Sequence, residues 1–125
     1  MIRSFDHLVI TTRDMQACIG FYFGLLGMRL ETFGNVRKAV AFGEQKFNLH
    51  DASTATDAYA ARPTAGSLDF CLLADGPLDA VIDTLKAKGV TIELGPVMRT
   101  CARFPIRSIY LRDPDGNLVE IAEPA

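Results

Sequence analysis

The sequence predicts an α+β fold: two βαβββ modules, each a cupped mixed sheet with one helix, within a single domain spanning residues 1–125. Three observations carry this. The apolar patterns run strand, helix and three strands, and then run through the same order again. Setting His7 over Asp69 gives an offset of 62 residues, and the glycines that end the two helices, Gly27 and Gly89, give the same 62. With 49% apolar and 22% charged residues, the chain has material for a core and stands far from the composition of an unfolded chain.

The first module covers residues 1–51. Phe5 to Ile10 is apolar but for Asp6 and His7, and its Val and Ile favour a strand. Asp14 caps a helix whose apolar residues Cys18, Tyr22, Leu25 and Leu26 fall at i, i+4, i+7 and i+8, and Gly27 supplies a left-handed stop. Met28 to Phe33, Arg37 to Phe42 and Gln45 to His50 follow as three strands, parted by the turn residues Gly34-Asn35 and Gly43-Glu44. The next stretch is rich in Ala, Thr, Asp and Ser without a period and reads as a connector over 52–66.

The second module covers residues 67–125. Ser67 to Leu73 is a strand, and Pro77 at a helix N1 position opens a stripe of Leu78, Val81, Ile82 and Leu85 that ends at Gly89. Val90 to Leu94, Ile106 to Arg112 and Asn117 to Ala122 supply three more strands. Asp113-Pro114-Asp115-Gly116 carries the preferences of a type I turn and fixes the last hairpin. The final strands of the modules align Asn48-Leu49-His50 with Leu118-Val119-Glu120, an offset of 70 for His50 and Glu120. The extra eight residues are taken up in Gly95 to Arg107.

A net charge of -2 leaves no cationic excess to neutralise phosphates, which excludes nucleic acid or an anionic membrane as the expected partner and points to a small-molecule substrate. Cys18, Cys71 and Cys101 form neither a zinc pattern nor a disulfide framework, as expected of reduced thiols in a cytosol. Met1 to Asp6 lacks the apolar stretch of a secretory signal, and no run approaches the roughly 18 apolar residues of a spanning helix. The expectation is a cytoplasmic protein.

The chemistry-bearing residues lie on strands. In Gln45 to His50 the side chains alternate, so Lys46, Asn48 and His50 share a polar face. Glu120 interrupts a strand that is otherwise apolar on both sides, and a carboxylate there needs a cation, hydrogen bonds or solvent. The only two histidines, His7 and His50, thus join Glu120 on the first and last strands of the modules, together with Asp69. Two imidazoles and a carboxylate match a two-His-one-carboxylate metal site with open positions, and Asp69 is a fourth ligand or an acceptor for an imidazole N–H. Lys46, Asn48 and Asp69 are also candidate substrate contacts, as are Arg99 and Arg103, whose planar donors suit a carboxylate or phosphate. A solvated sheet edge or ordinary surface charge would account for these as well. Cys71 shares the face of Asp69 and reads as a packed thiol.

Phe5-Asp6-His7-Leu8-Val9-Ile10, Phe21-Tyr22 through Gly27-Met28, and Tyr110 through Asp113-Pro114-Asp115-Gly116-Asn117 to Glu120 resemble the signatures of the vicinal oxygen chelate superfamily, which holds glyoxalase I, extradiol dioxygenases and bleomycin-resistance proteins. Lys46 to His50, Gly66 to Cys71 and Gly95 to Thr100 resemble more narrowly its glyoxalase-domain-containing and bacterial virulence-protein branch. The resemblance implies a shared metal cleft formed by the paired modules, and a homodimer. It implies a divalent ion (Zn, Ni, Mn or Fe(II)) held by His7, His50 and Glu120, with Glu120 doubling as a catalytic base. Asp69 falls where many members carry a histidine. The implied function is an isomerase or lyase acting on a small oxygen-rich substrate chelated to the metal. The alternatives are an Fe(II) ring-cleaving dioxygenase and a bleomycin-resistance-like binding protein without catalysis.

Overall fold

The computed structural model describes residues 1–34, 36–54 and 57–125. Asn35 of the expected Gly34-Asn35 turn, and Ala55 and Thr56 of the expected connector, lie outside the described residues. Two compact units emerge: Met1–Leu68 with Pro114–Gly116, and Asp69–Asp113 with Asn117–Ala125. Each holds a four-stranded mixed sheet and one helical element, so the α+β class and the twofold βαβββ order are present as expected.

In the first unit, β1 (His7–Thr12) pairs in parallel with β4 (Gln45–Asp51), which runs antiparallel to β3 (Arg37–Phe42), and β3 antiparallel to β2 (Arg29–Phe33). The helix α1 (Met15–Ile19) begins where expected, with Asp14 as N-cap accepting from Ala17 N at 3.1 Å. It then widens into a π-helical segment, Gly20–Leu25, closed by Leu26 N donating to Phe21 O at 2.9 Å. The wider turn brings two successive rings, Phe21 and Tyr22, into the core, whereas Leu25 and Leu26 of the expected stripe stay half-buried. Tyr22 packs edge-on against Phe21 at 4.9 Å and Phe47 at 5.7 Å. Ile10, Val40 and Leu49 complete this core on the helix side of the sheet.

In the second unit, β5 (Asp69–Leu73) pairs in parallel with β8 (Leu118–Pro124), then β7 (Ile106–Arg112) and β6 (Leu94–Arg99) follow, each antiparallel. The helix α2 (Leu78–Ala87) buries Leu78, Ile82 and Leu85, three of the four stripe residues. Pro77 sits at its N-cap rather than at N1. With no capping side chain of its own, the helix start is held by Glu123 Oε1, which accepts from Leu78 N at 3.0 Å.

One strand falls elsewhere than expected. Of Val90 to Leu94 only Leu94 lies in a strand, because Gly89 (φ +72°) turns the chain out of α2 and Val90 N closes on Leu85 O at 2.9 Å. Pairing starts only at Glu93, whose N–H reaches Tyr110 O at 2.8 Å, and β6 then runs through the stretch expected to be an insertion. Gly95 makes this possible. A Cβ there would stand 2.5 Å from Ser108 O, and its φ of +108° suits glycine alone, so β6 bulges between Leu94 and Val97 before rejoining β7. The last hairpin closes as expected: Asp113 accepts from Asn117 N at 2.9 Å and from Asn117 Nδ2 at 2.7 Å, all buried.

Candidate functional site

In each sheet one face packs on its helix and the other carries the polar residues. On the polar face of the first unit the register aligns side chains in rows across β1, β4, β3 and β2. His7, Lys46, Ala41 and Arg29 form one row, Val9, Asn48, Ala39 and Glu31 the next, and Thr11 and His50 begin a third. His7 Nδ1 lies 2.9 Å from Asp6 Oδ2, a contact in which the carboxylate accepts and a neutral ring keeps its lone pair on Nε2. Lys46 lies over the Phe33 ring at 4.5 Å and lines a recess of about 260 Å³ with Asp6, Arg29, Glu31 and Gln45. The Asn48 Oδ1 is buried with no hydrogen-bond partner among the described residues. His50 stands opposite Thr11, four residues along the strand pair from the level of His7. That offset is roughly 13 Å at 3.3 Å per residue, too long for two imidazoles on parallel-projecting side chains to meet at one ion with bonds of about 2.1 Å.

The register also corrects the internal alignment. His7 opens β1 opposite Lys46, and Asp69 opens β5 opposite Leu118. The counterpart of Glu120 is therefore Asn48, at an offset of 72 residues, and that of His50 is Ala122. The offset of 70 read from the sequence is two residues short, because it matched residue types rather than strand pairing.

On the polar face of the second unit, Glu120 stands between Cys71 on β5 and Tyr110 on β7, each directly opposite it in register. The Ser108 hydroxyl, fully buried, donates to Glu120 Oε2 at 2.6 Å, a short bond of the kind made to a charged acceptor. Burial and then the Glu120 charge push the Cys71 thiol up to about 12, so Cys71 is a proton-bearing neighbour and not a nucleophile. Arg99 donates its Nε–H to Tyr110 Oη at 3.1 Å and lies over the ring at 5.6 Å. Arg103 stacks on Phe104 at 5.0 Å, and Asp69 is exposed opposite Leu118.

Sequence reasoning found Glu120 but missed Ser108 and Tyr110. The available signal was the alternation in β7, where Ser108 and Tyr110 fall on one face and Ile109 and Leu111 on the other. Among the described residues no group of three His, Cys, Asp or Glu is placed to hold a metal ion. Taken unit by unit, the donors do not make up the ion site that the resemblance implies.

The fold and these faces define a class. Residues 4–121 match the Glyoxalase/Bleomycin resistance protein/Dioxygenase superfamily, and the chain belongs to it. Among its relatives, the virulence protein STM3117 of Salmonella typhimurium is 45% identical over 123 residues, which is 98% of this chain and 85% of that protein. Its crystal structure superposes with a TM-score of 0.97 over 100% of this chain and 99% of that one, at 44% identity. The glyoxalase domain-containing protein RDO1 of Mycosarcoma maydis is 45% identical over 97% of this chain and 68% of its own length. An integron cassette protein from the mobile metagenome of V. Cholerae matches with a TM-score of 0.96 and 41% identity, over 100% of this chain and 98% of that one. No helix among the described residues is long and apolar enough to cross a membrane.

Proposed function

We propose that this protein is an isomerase or lyase that moves a proton at carbon in a small oxygen-rich substrate, with Glu120 as the base. The observation that carries the reading is the placement of Glu120. It is a half-buried carboxylate on the polar face of a sheet, oriented by the Ser108 hydroxyl and flanked by a thiol that stays protonated. A carboxylate held this way needs no side-chain rearrangement to accept a proton from a bound substrate.

Metal dependence is part of the proposal. His7 is the residue whose local geometry favours ligation, since Asp6 holds Nδ1 and leaves Nε2 as the donor. Bound at such a site, a divalent ion would act as a Lewis acid toward substrate oxygens. We further propose a cytoplasmic homodimer.

The test is proton exchange in D2O, followed by proton NMR on hydroxyacetone, dihydroxyacetone and glyceraldehyde, with elemental analysis of protein purified without a histidine tag. Exchange above buffer that falls at least a hundredfold in Glu120→Gln is expected, with ion content lost in His7→Ala and kept in His50→Ala. Equal rates in Glu120→Gln and the unmodified protein would overturn the role of Glu120. Unchanged ion content in His7→Ala would overturn that of His7.

A further inference from the structure

The polar face of the second unit holds an arrangement that the base alone does not explain. Removing a proton from carbon next to a carbonyl puts negative charge on the carbonyl oxygen, so the reaction needs a hydrogen-bond donor there as well as a base. We propose that Tyr110 is that donor and that Arg99 is the residue that positions it. The inference rests on Glu120 acting as proposed above.

The geometry carries it in three parts. Tyr110 and Glu120 are register partners in β7 and β8, and facing residues of an antiparallel pair hold their Cβ atoms about 5 Å apart. Both side chains therefore rise from the same face within the span of one small substrate. The Arg99 Nε–H occupies an acceptor site of the Tyr110 oxygen at 3.1 Å while its guanidinium lies over the ring. An arginine can only donate, so the hydroxyl proton of Tyr110 must turn to another acceptor. Glu120, in turn, has Oε2 engaged by Ser108, which orients the carboxylate toward the face it shares with Tyr110. The face thus sets a proton acceptor and a proton donor side by side, each oriented by its own buried or stacked partner.

The step is balanced without a redox partner. Glu120 takes the proton from carbon, and the C–H pair becomes the new C=C bond. The carbonyl π pair moves onto oxygen, which accepts the Tyr110 O–H hydrogen bond. Return of the proton from Glu120 to either carbon of the enediolate, with the oxygen-borne proton passing between the two oxygens, completes exchange or isomerisation. The ligand class is an α-hydroxy carbonyl compound small enough to lie across two strands.

Acetohydroxamic acid tests this, because its anion carries the adjacent oxygens and the charge of an enediolate. Calorimetric titration of the unmodified protein and of Tyr110→Phe, Arg99→Met and Arg99→Lys is expected to show binding that weakens about tenfold in Tyr110→Phe, the loss of one hydrogen bond to a charged group. Arg99→Met is expected to weaken it several-fold. Arg99→Lys, which restores a donor to the Tyr110 oxygen, should recover most of that loss, an effect that a merely structural arginine would not show. Thermal melts confirm folding, and Arg99→Met carries the test if Tyr110→Phe fails to fold. Absence of binding to the unmodified protein, affinity in Tyr110→Phe within twofold of it, or no recovery in Arg99→Lys overturns the inference. If Glu120→Gln abolishes exchange while Tyr110→Phe leaves it intact, the base assignment stands and only the donor falls.

Discussion

Replacing Ser108 by alanine removes one oxygen from the centre of the second unit and isolates the bond that orients Glu120. The hydroxyl is fully buried and lies 2.6 Å from Oε2, so its loss deletes a hydrogen bond to a charged group without opening a large cavity. Such bonds contribute about 1.5–3 kcal/mol. Glu120 is half-buried, which places the expectation at about 2 kcal/mol, or roughly a thirtyfold shift in the folding equilibrium. For a chain of this size that lowers Tm by roughly 8 °C. Urea unfolding of Ser108→Ala, Glu120→Ala and the double variant separates the bond from other effects, with an expected coupling of about 1.5–2 kcal/mol. A coupling below about 0.5 kcal/mol would show that the hydroxyl does not hold the carboxylate, and with it the reasoning about an oriented base would fail.

Ellman's reagent at pH 8 is expected to label Cys101 first, since the N–H groups of Arg103 and Phe104 lower its pKa while Cys71 titrates near 12; loss of the fast phase in Cys71→Ser would contradict this assignment. Because the folded pKa of Cys71 lies above its ordinary value of 9.0, its contribution to stability is present below pH 9 and is lost as pH rises toward 12, which urea titrations across that range would detect. Gly95→Ala should cost about 1–3 kcal/mol from its positive φ, and more from the clash with Ser108 O, while loosening β6 and so the Arg99–Tyr110 contact; thermal melts give the cost. Asp113→Ala removes the two carboxylate oxygens that accept from Asn117 in the buried hairpin and should lower stability by about 2–4 kcal/mol, measured by urea unfolding.

Local pattern made most of the elements legible. Strand composition and the turn residues between them located the strands at 37–42, 45–51 and 106–112 almost to the residue. The stripe of Leu78, Ile82 and Leu85 located α2 by its helical spacing. The misplaced β6 shows the limit. Val90 to Leu94 has strand composition, but the cap at Gly89 takes Val90, and the edge strand forms instead over a Gly-Pro pair, where only the close approach to Ser108 reveals the pairing. The π-helical segment was hidden likewise, since Phe21 and Tyr22 carry no local signal that both enter one core.

The sequence by itself determined the α+β class, the duplicated order of elements, the superfamily signatures and Glu120 as an out-of-place carboxylate, all properties of neighbouring residues or of residue type. Only the tertiary structure decided which side chains meet. Strand pairing set His50 level with Thr11 rather than His7, made Asn48 the counterpart of Glu120, and surrounded Glu120 with Ser108, Tyr110 and Cys71 from two other strands. The reason is that register is a contact between distant segments. A slip of two residues keeps every side chain on its face, and so leaves the alternation in the sequence unchanged, yet moves each one about 7 Å from its partner.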